Sequence, residues 1–389
     1  MPADLTENIK AFALDLGYSR AGIAPARNFT EYAAEVAGRG EPYAHMAERL
    51  CAAGRLEELA PRARSIVVLV WDYARNAFPE SLLGKVGRVY QARCYNAPEN
   101  RVHGARLRLM RDYLERNGCG IVDDVFVPAR HSGALAGVTT FGRNNFAYAE
   151  GIGSFLIVLP ILVDRELAYD EPTLDCACPP NCDACMRACP TGALYAPFHL
   201  APRKCIAHNT FATDPRPGSE TYIPPEIREE MGRHVHGCDL CQTACPRNQK
   251  RLKAQLPADA FLERLAERFT LADLLAMPDG FYETCVQPIM YNYIQDVKYF
   301  RRNAAVAMGN TGDASYVLDL ERALADPEPV VRAHVAWALG KLGGDRAAEA
   351  LKRRLAMEDS GTVRRELEEA LRRTAAPTAG EPPTTESNR

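Results

Sequence analysis

The chain has 389 residues, 47% of them apolar and 25% charged, with a formal net charge of −3. That length allows two or three domains and at least one substantial core, which excludes a disulfide-stapled miniature fold. The near-neutral charge argues against strong nonspecific attraction to nucleic acid and leaves a local basic patch as the only electrostatic route to it.

The opening segment carries Asp4, Glu7, Lys10 and Asp15 where an export signal needs an uninterrupted apolar stretch. The longest apolar run, Phe155 to Val163, is nine residues, about half of what a membrane-spanning helix requires. The expectation is a cytoplasmic protein with no membrane association. Leu5, Ile9, Phe12 and Leu16 recur at helical spacing, and Gly17 stops that helix. Ile66 to Trp71 form a continuous apolar run suited to a strand covered on both faces. "RVHGARLRLMRDYLERNGCG" predicts a helix closed at Gly118 or Gly120, and "IVDDVFV" a following strand. "GSFLIVLPILVD" predicts a third buried strand, in which Pro160 favours an edge, a bulge or a break. Strands alternating with helices predict an α/β domain over residues 1–170.

From about residue 171 the composition turns to cysteine, proline and short turns, as expected where metal replaces an apolar core. This second unit runs to 255 and contains "PRPGSETYIPPE", a loop between two cysteine clusters. In residues 256–375, "YFRRNAAVAMGNTG", "PVVRAHVAWALGKLG" and "GTVRRELEEALRR" align, with Arg302, Arg332 and Arg364 spaced by 30 and 32 residues. That period predicts all-α stacked helix pairs of the HEAT type, with an irregular helical bundle as the plainer alternative. Residues 376–389 lack apolar periodicity and predict a disordered tail.

Thirteen cysteines in a reducing compartment point to metal ligands, redox groups or small buried hydrophobes rather than disulfides. Cys51, Cys94, Cys119 and Cys285 are scattered and read as structural. Eight others form a pattern: Cys178, Cys182, Cys185 and Cys189 before Pro190, then Cys205, then Cys238, Cys241 and Cys245 before Pro246. Two-cluster ferredoxins use C-x2-C-x2-C-x3-C-P runs in which the fourth cysteine of each run ligates the other cluster. Crossing the fourth ligands assigns Cys178, Cys182, Cys185 and Cys245 to one 4Fe-4S cluster, and Cys189, Cys205, Cys238 and Cys241 to the other. A zinc site is the alternative, since it also uses C-x2-C pairs, but it requires neither eight cysteines in crossed order nor the prolines. The irregularity is at Cys178, one residue farther from Cys182 than usual, so that either the extra residue bulges out or Cys176 substitutes.

These pieces, together with "LGYSRAGIAPA", "RLEELAPRARSIVVLVWDYA", "AGVTTFGRNN", "RKCIAHNT" and "HGCDLCQTACPRN", make the chain resemble the epoxyqueuosine reductases. That family pairs a cobalamin-binding α/β domain with a ferredoxin-like two-cluster module, followed in some members by HEAT-like repeats. The resemblance implies reduction of the epoxide of epoxyqueuosine in tRNA to the alkene, by a cobalamin bound without its own base and reduced through the two clusters. It implies tRNA as partner, a flavodoxin- or ferredoxin-type low-potential electron donor, and a monomer. Carried over residue by residue, it places Asn144, Val158, Ala207, His236, Thr243 and Ala244 around the cofactor, although His236 could equally shield a cluster or lie on the surface.

The resemblance breaks where the family sets a proton-donating aspartate before a proline, in a "VDSAP"-like stretch. Here the region reads "IVDDVFVPARHSGALAG". An opened epoxide needs a proton for its oxygen. Asp124, with Asp123 beside it, is the candidate donor; a solvent-facing carboxylate is the competing reading, and His131, Tyr95 and His103 are alternative donors. The departure, with "GRNN" in place of "GKN", marks a divergent branch. It keeps open a second substrate, through reductive dehalogenase-like chemistry, and a non-catalytic electron carrier.

Overall fold

The structure is a computed structural model that describes residues 2–40, 44–94, 102–123, 125–173, 176, 178–211, 221–290 and 296–375. The expected tail, 376–389, lies outside the described residues. No helix among the described residues is long and apolar enough to cross a membrane.

The N-terminal region is built on three strands, β1 (Arg20–Pro25), β2 (Ser65–Asp72) and, after the short pair β3 (Thr140–Phe141) and β4 (Ala147–Tyr148), β5 (Leu156–Val163). The order is β1-β2-β5 and both pairings are antiparallel, with Ile23 opposite Val67 and Val68 opposite Pro160. β2 is buried at every position because successive side chains serve opposite faces. Val67, Leu69 and Trp71 pack with Ile9 and Ala13 of helix Pro2–Asp15 and with Met110 and Leu114 of helix Val102–Arg116. Ile66, Val68 and Val70 pack on the other face with Ala53, Leu56 and helix Ala129–Leu135. Helices cover both faces of the sheet, but both strand pairings are antiparallel, not the parallel ones that strand-helix alternation implies; Gly118, at φ +74°, closes helix Val102–Arg116 as its position suggests.

One expected strand is not formed. Among the described residues of "IVDDVFV", only Ile121 bridges β5, opposite Val163, and Val122 N–H donates to the Leu162 carbonyl. Val125, Phe126 and Val127 instead pack on the second face of the sheet as irregular chain. β5 is an edge strand, and Pro160 in its middle has no N–H with which to recruit a fourth.

At the C-terminus, helices Val297–Thr311, Pro329–Leu342 and Gly361–Ala375 stack in sequence. Two glycines permit the close approach: a Cβ on Gly309 would lie 2.9 Å from Ala338 Cα, and one on Gly340 2.6 Å from Ala370 Cα. The spaced arginines do equivalent work. Arg332 donates to the carbonyls of Asp326 and Pro327, Arg364 to those of Leu355 and Glu358. Arg302, fully buried, donates to the carbonyls of Thr221, Asn209 and Phe211, while Asn303 donates to those of Thr210 and Val235. The first repeat helix therefore holds the chain that links the two cysteine clusters, and one apolar core runs from Leu82 and Val86 through Ile223 and Ile227 to Leu367.

Candidate iron-sulfur and cofactor site

The segments Cys182–Pro190 and Cys238–Pro246 share the pattern Cys-Asp-x-Cys-x-x-Ala-Cys-Pro. In each, the Asp precedes a one-turn helix, Ala184–Arg187 or Leu240–Thr243, and the two turns pack together. Cys185 lies in the electrostatic field of Cys245 and Cys178. Cys238 lies in that of Cys205 and Cys189, and Cys241 in that of Cys238, Cys205 and Cys185. Burial pushes the Cys238 thiol up to about 12, and the neighbouring sulfurs and Asp239 add to the shift. Cys241 is pushed well up for the same reasons. Soft sulfur donors crowded out of water ionise only if cations arrive to balance them, which is the donor chemistry of iron-sulfur centres. Among the described residues no three His, Cys, Asp or Glu side chains are gathered closely enough to hold a single metal ion. Cys176 is hydrogen-bonded to Cys178, and both are half-buried.

A buried polar knot joins this module to the sheet. Ser154 N–H donates to Asn248 Oδ1 at 2.9 Å, Asn248 Nδ2 donates to Ser154 Oγ at 2.9 Å and to the Gln242 carbonyl at 2.7 Å, and Gln242 Nε2 donates to Ser154 Oγ at 3.0 Å. Gly153 is required beside it: its φ is +72°, and a Cβ there would lie 2.2 Å from Asn248 Oδ1.

Next to the knot is a cleft of about 500 Å3, bordered by Arg20, Thr139, Thr140, Tyr148, Arg247, Lys250 and Arg251. Arg251 pairs with Asp72. Arg247 donates to Thr140 Oγ1 at 3.0 Å and lies over the Tyr148 ring, 4.1 Å from its centroid. Arg247 Nη1 and Thr139 Oγ1 are buried without a hydrogen-bond partner. The Tyr148 hydroxyl donates to Cys245 Sγ at 3.2 Å, so the cleft wall touches the cysteine module.

None of the six residues carried over for the cofactor borders this cleft. Asn144 stands behind it, donating to the Tyr148 hydroxyl at 3.0 Å. Val158 is buried in the core on the second face of the sheet, and Ala207 lies in the turn Ile206–Asn209 after Cys205. Thr243 and Ala244 lead into Cys245, with Thr243 Oγ1 accepting from Arg88 at 3.2 Å. His236 is fully enclosed by Tyr90, Phe211 and Phe300; burial pulls its pKa down to about 3, so the ring is neutral. Of the candidate proton donors, Asp124 and Tyr95 lie outside the described residues, as does the side chain of His103. Asp123 is exposed and pairs with Arg111 at 2.5 Å. His131 sits between Tyr32 and Phe141, and burial, with Arg130 nearby, lowers its pKa to about 4. Sequence reading passed over Tyr148, Arg247, Lys250 and Arg251; the basic run "PRNQKR" directly after Cys245 was the available signal.

Sheet domain, paired cysteine runs and stacked helices together define an iron-sulfur protein with a cleft against its cysteine module. The profile described as 4Fe-4S double cluster binding domain matches residues 178–248, and that of HEAT repeats matches residues 295–372. The epoxyqueuosine reductase of Bacillus cereus is 29% identical over 323 residues, 80% of this chain and 82% of that protein. The Escherichia coli K12 enzyme is 27% identical over 350 residues, 87% and 89% of the two chains. Among solved structures, a selenomethionine-labelled epoxyqueuosine reductase superposes with a TM-score of 0.78 at 25% identity, over 95% of this chain and 99% of that one. An epoxyqueuosine reductase holding a tRNA-Tyr epoxyqueuosine-modified stem loop also gives 0.78 at 25% identity, over 96% and 99%. The resemblance read from the motifs thus extends over nearly the whole chain.

Proposed function

We propose that the protein is an oxidoreductase that reduces epoxyqueuosine in tRNA to queuosine, using two 4Fe-4S clusters and a cobalamin. The observation that carries this reading is the match, over 95% or more of the chain, to epoxyqueuosine reductases that include one holding its modified stem loop. Residues 1–170 would hold the cobalamin, 171–255 the clusters, and 256–375 would support both. The working compartment is the cytoplasm, the electron donor is a low-potential flavodoxin or ferredoxin, and the enzyme acts as a monomer.

Cys178, Cys182, Cys185 and Cys245 hold one cluster, and Cys189, Cys205, Cys238 and Cys241 the other. This division is supported by the fields that Cys185 shares with Cys245 and Cys178, and that Cys238 shares with Cys205 and Cys189, while Cys241 also feels Cys185 across the two sets. The cleft, about 500 Å3, suits the modified nucleoside or one edge of a larger cofactor, because Arg247 Nη1 and Thr139 Oγ1 await acceptors or donors. When bound, low-valent cobalamin supplies the electron-rich metal that an epoxide requires. The chain's own tasks are to deliver single electrons through adjacent clusters, to hold the anionic parts of its ligands with Arg20, Arg247 and Lys250, and to place an acid near the departing oxygen. Asp124 takes that last role, since Asp123 is engaged by Arg111 on the surface. A second reading, reduction of a different bond on the same cofactors, is favoured by one feature: the residues before Pro128 are apolar and packed on the core where the family pattern has an acid.

The test is anaerobic reconstitution with iron, sulfide and cobalamin, followed by incubation with tRNA carrying epoxyqueuosine and nucleoside mass spectrometry. Queuosine should appear, and Asp124→Asn should abolish turnover with both cofactors still bound. Unreacted tRNA on a fully loaded protein would reject the substrate; clusters without any bound corrinoid would reject the reductase class.

A further inference from the structure

Tyr148 is the second residue of β4 and only 1% exposed, yet it borders the cleft with its ring and reaches the cysteine module with its hydroxyl. A phenol has one proton to donate. Asn144 Nδ2 donates to the Tyr148 oxygen at 3.0 Å, which fills an acceptor position and leaves the proton free. Ser154 also reaches the Tyr148 hydroxyl, but its Oγ already accepts from Asn248 and Gln242, which leaves two acceptors to compete for the proton: Cys245 Sγ at 3.2 Å and Asn144 Oδ1 at 3.3 Å. For oxygen, 3.3 Å is a long contact, whereas for the larger sulfur atom 3.2 Å is a close one. Asn144 Oδ1 also receives the Phe146 N–H. The proton therefore goes to sulfur. The Arg247 guanidinium over the ring face withdraws electron density from the phenol and strengthens the donation. In the other cysteine set, Cys189 meets the Thr191 hydroxyl at 3.6 Å, a longer contact in a less buried place.

Resting on the cluster reading above, we propose that Tyr148 is a positioning residue for electron transfer: its hydroxyl donates to the Cys245 thiolate and raises the reduction potential of the cluster held by Cys178, Cys182, Cys185 and Cys245. A hydrogen bond to a ligand sulfur draws charge off the thiolate and favours the more negative, reduced cluster. Because the same side chain borders the cleft, the hydrogen bond makes the cluster beside the cleft a better electron acceptor than it would be without Tyr148.

The experiment is a potentiometric titration of the anaerobically reconstituted full chain, followed by electron paramagnetic resonance, for the native protein and Tyr148→Phe. Native protein that takes up no clusters would remove the cluster reading itself, before the variant is considered. With clusters present, Tyr148→Phe should lower the midpoint of the cluster whose signal disappears in Cys185→Ser and leave the other unchanged. Its Fe–S(Cys) stretching bands in resonance Raman spectra should shift with the lost hydrogen bond. Unchanged midpoints, or equal movement of both, would overturn the proposal. Should Tyr148→Phe fail to hold its cluster, Arg247→Met replaces it: a smaller fall at the same cluster supports the assignment, and no fall overturns it.

Discussion

In the middle repeat helix, Pro329–Leu342, eleven of fourteen residues are buried, whereas between Cys178 and Cys205 only Cys185, Ala193 and Leu194 are. The two regions share a chain, and Arg302 and Asn303 of the first repeat helix hold the residues that follow Cys205, but they cohere by different physics. The repeats exclude water from a continuous apolar core, with each large aliphatic or phenyl side chain that is fully buried contributing roughly 1.5 to 3 kcal/mol. The cysteine segment buries too little for that and depends on the bonds its thiolates make to iron. The first is a matter of area and close fit, the second of coordination.

Removing iron should separate the two most strongly. Chelation under mild oxidation is expected to open residues 178–205 to protease while the repeats survive as a protected fragment; simultaneous loss of both would show that they form a single cooperative unit. The next effect is acid loss of the repeats. Burial alone would raise the Glu358 carboxyl, but hydrogen bonds from Arg332, the Ser360 N–H and Arg354 outweigh it and bring it to about 2. A depressed carboxyl stabilises the folded state above its ordinary value near 4.5 and loses that contribution as pH falls toward 2, here of order 3 kcal/mol. Urea unfolding at pH 5 and pH 3 should show the loss, and Glu358→Gln should flatten it. Gly340→Val, which drives side-chain atoms into Ala370, should cost about 2 kcal/mol by thermal unfolding and leave cluster absorption intact. Smallest is Asp123→Asn, which breaks only the exposed pair with Arg111 and should change stability by less than about 1 kcal/mol.

The same contrast explains what could be read from the residues. Arg302, Arg332 and Arg364 were visible as a period because each repeat reuses one solution, an arginine bound to carbonyls of a preceding turn or loop. The cysteine module was visible because ligation demands short fixed spacings, and a double-cluster profile matches residues 178–248. The strand expected in "IVDDVFV" fails for a reason some 35 residues away, the missing N–H of Pro160. Tyr148 lies 97 residues from Cys245, and no local pattern marks a contact made only when β4 meets the second cysteine run. His236 had the right neighbours in sequence, but three aromatic rings enclose it in space.

The central claim is that two clusters share crossed ligands, and paired serine variants test it most directly. Cys185→Ser with Cys245→Ser, far apart in sequence, should damage one cluster and leave about four irons per chain; Cys185→Ser with Cys189→Ser, four residues apart, should damage both and leave almost none. The reverse outcome, with the near pair sparing one cluster and the distant pair destroying both, would contradict it.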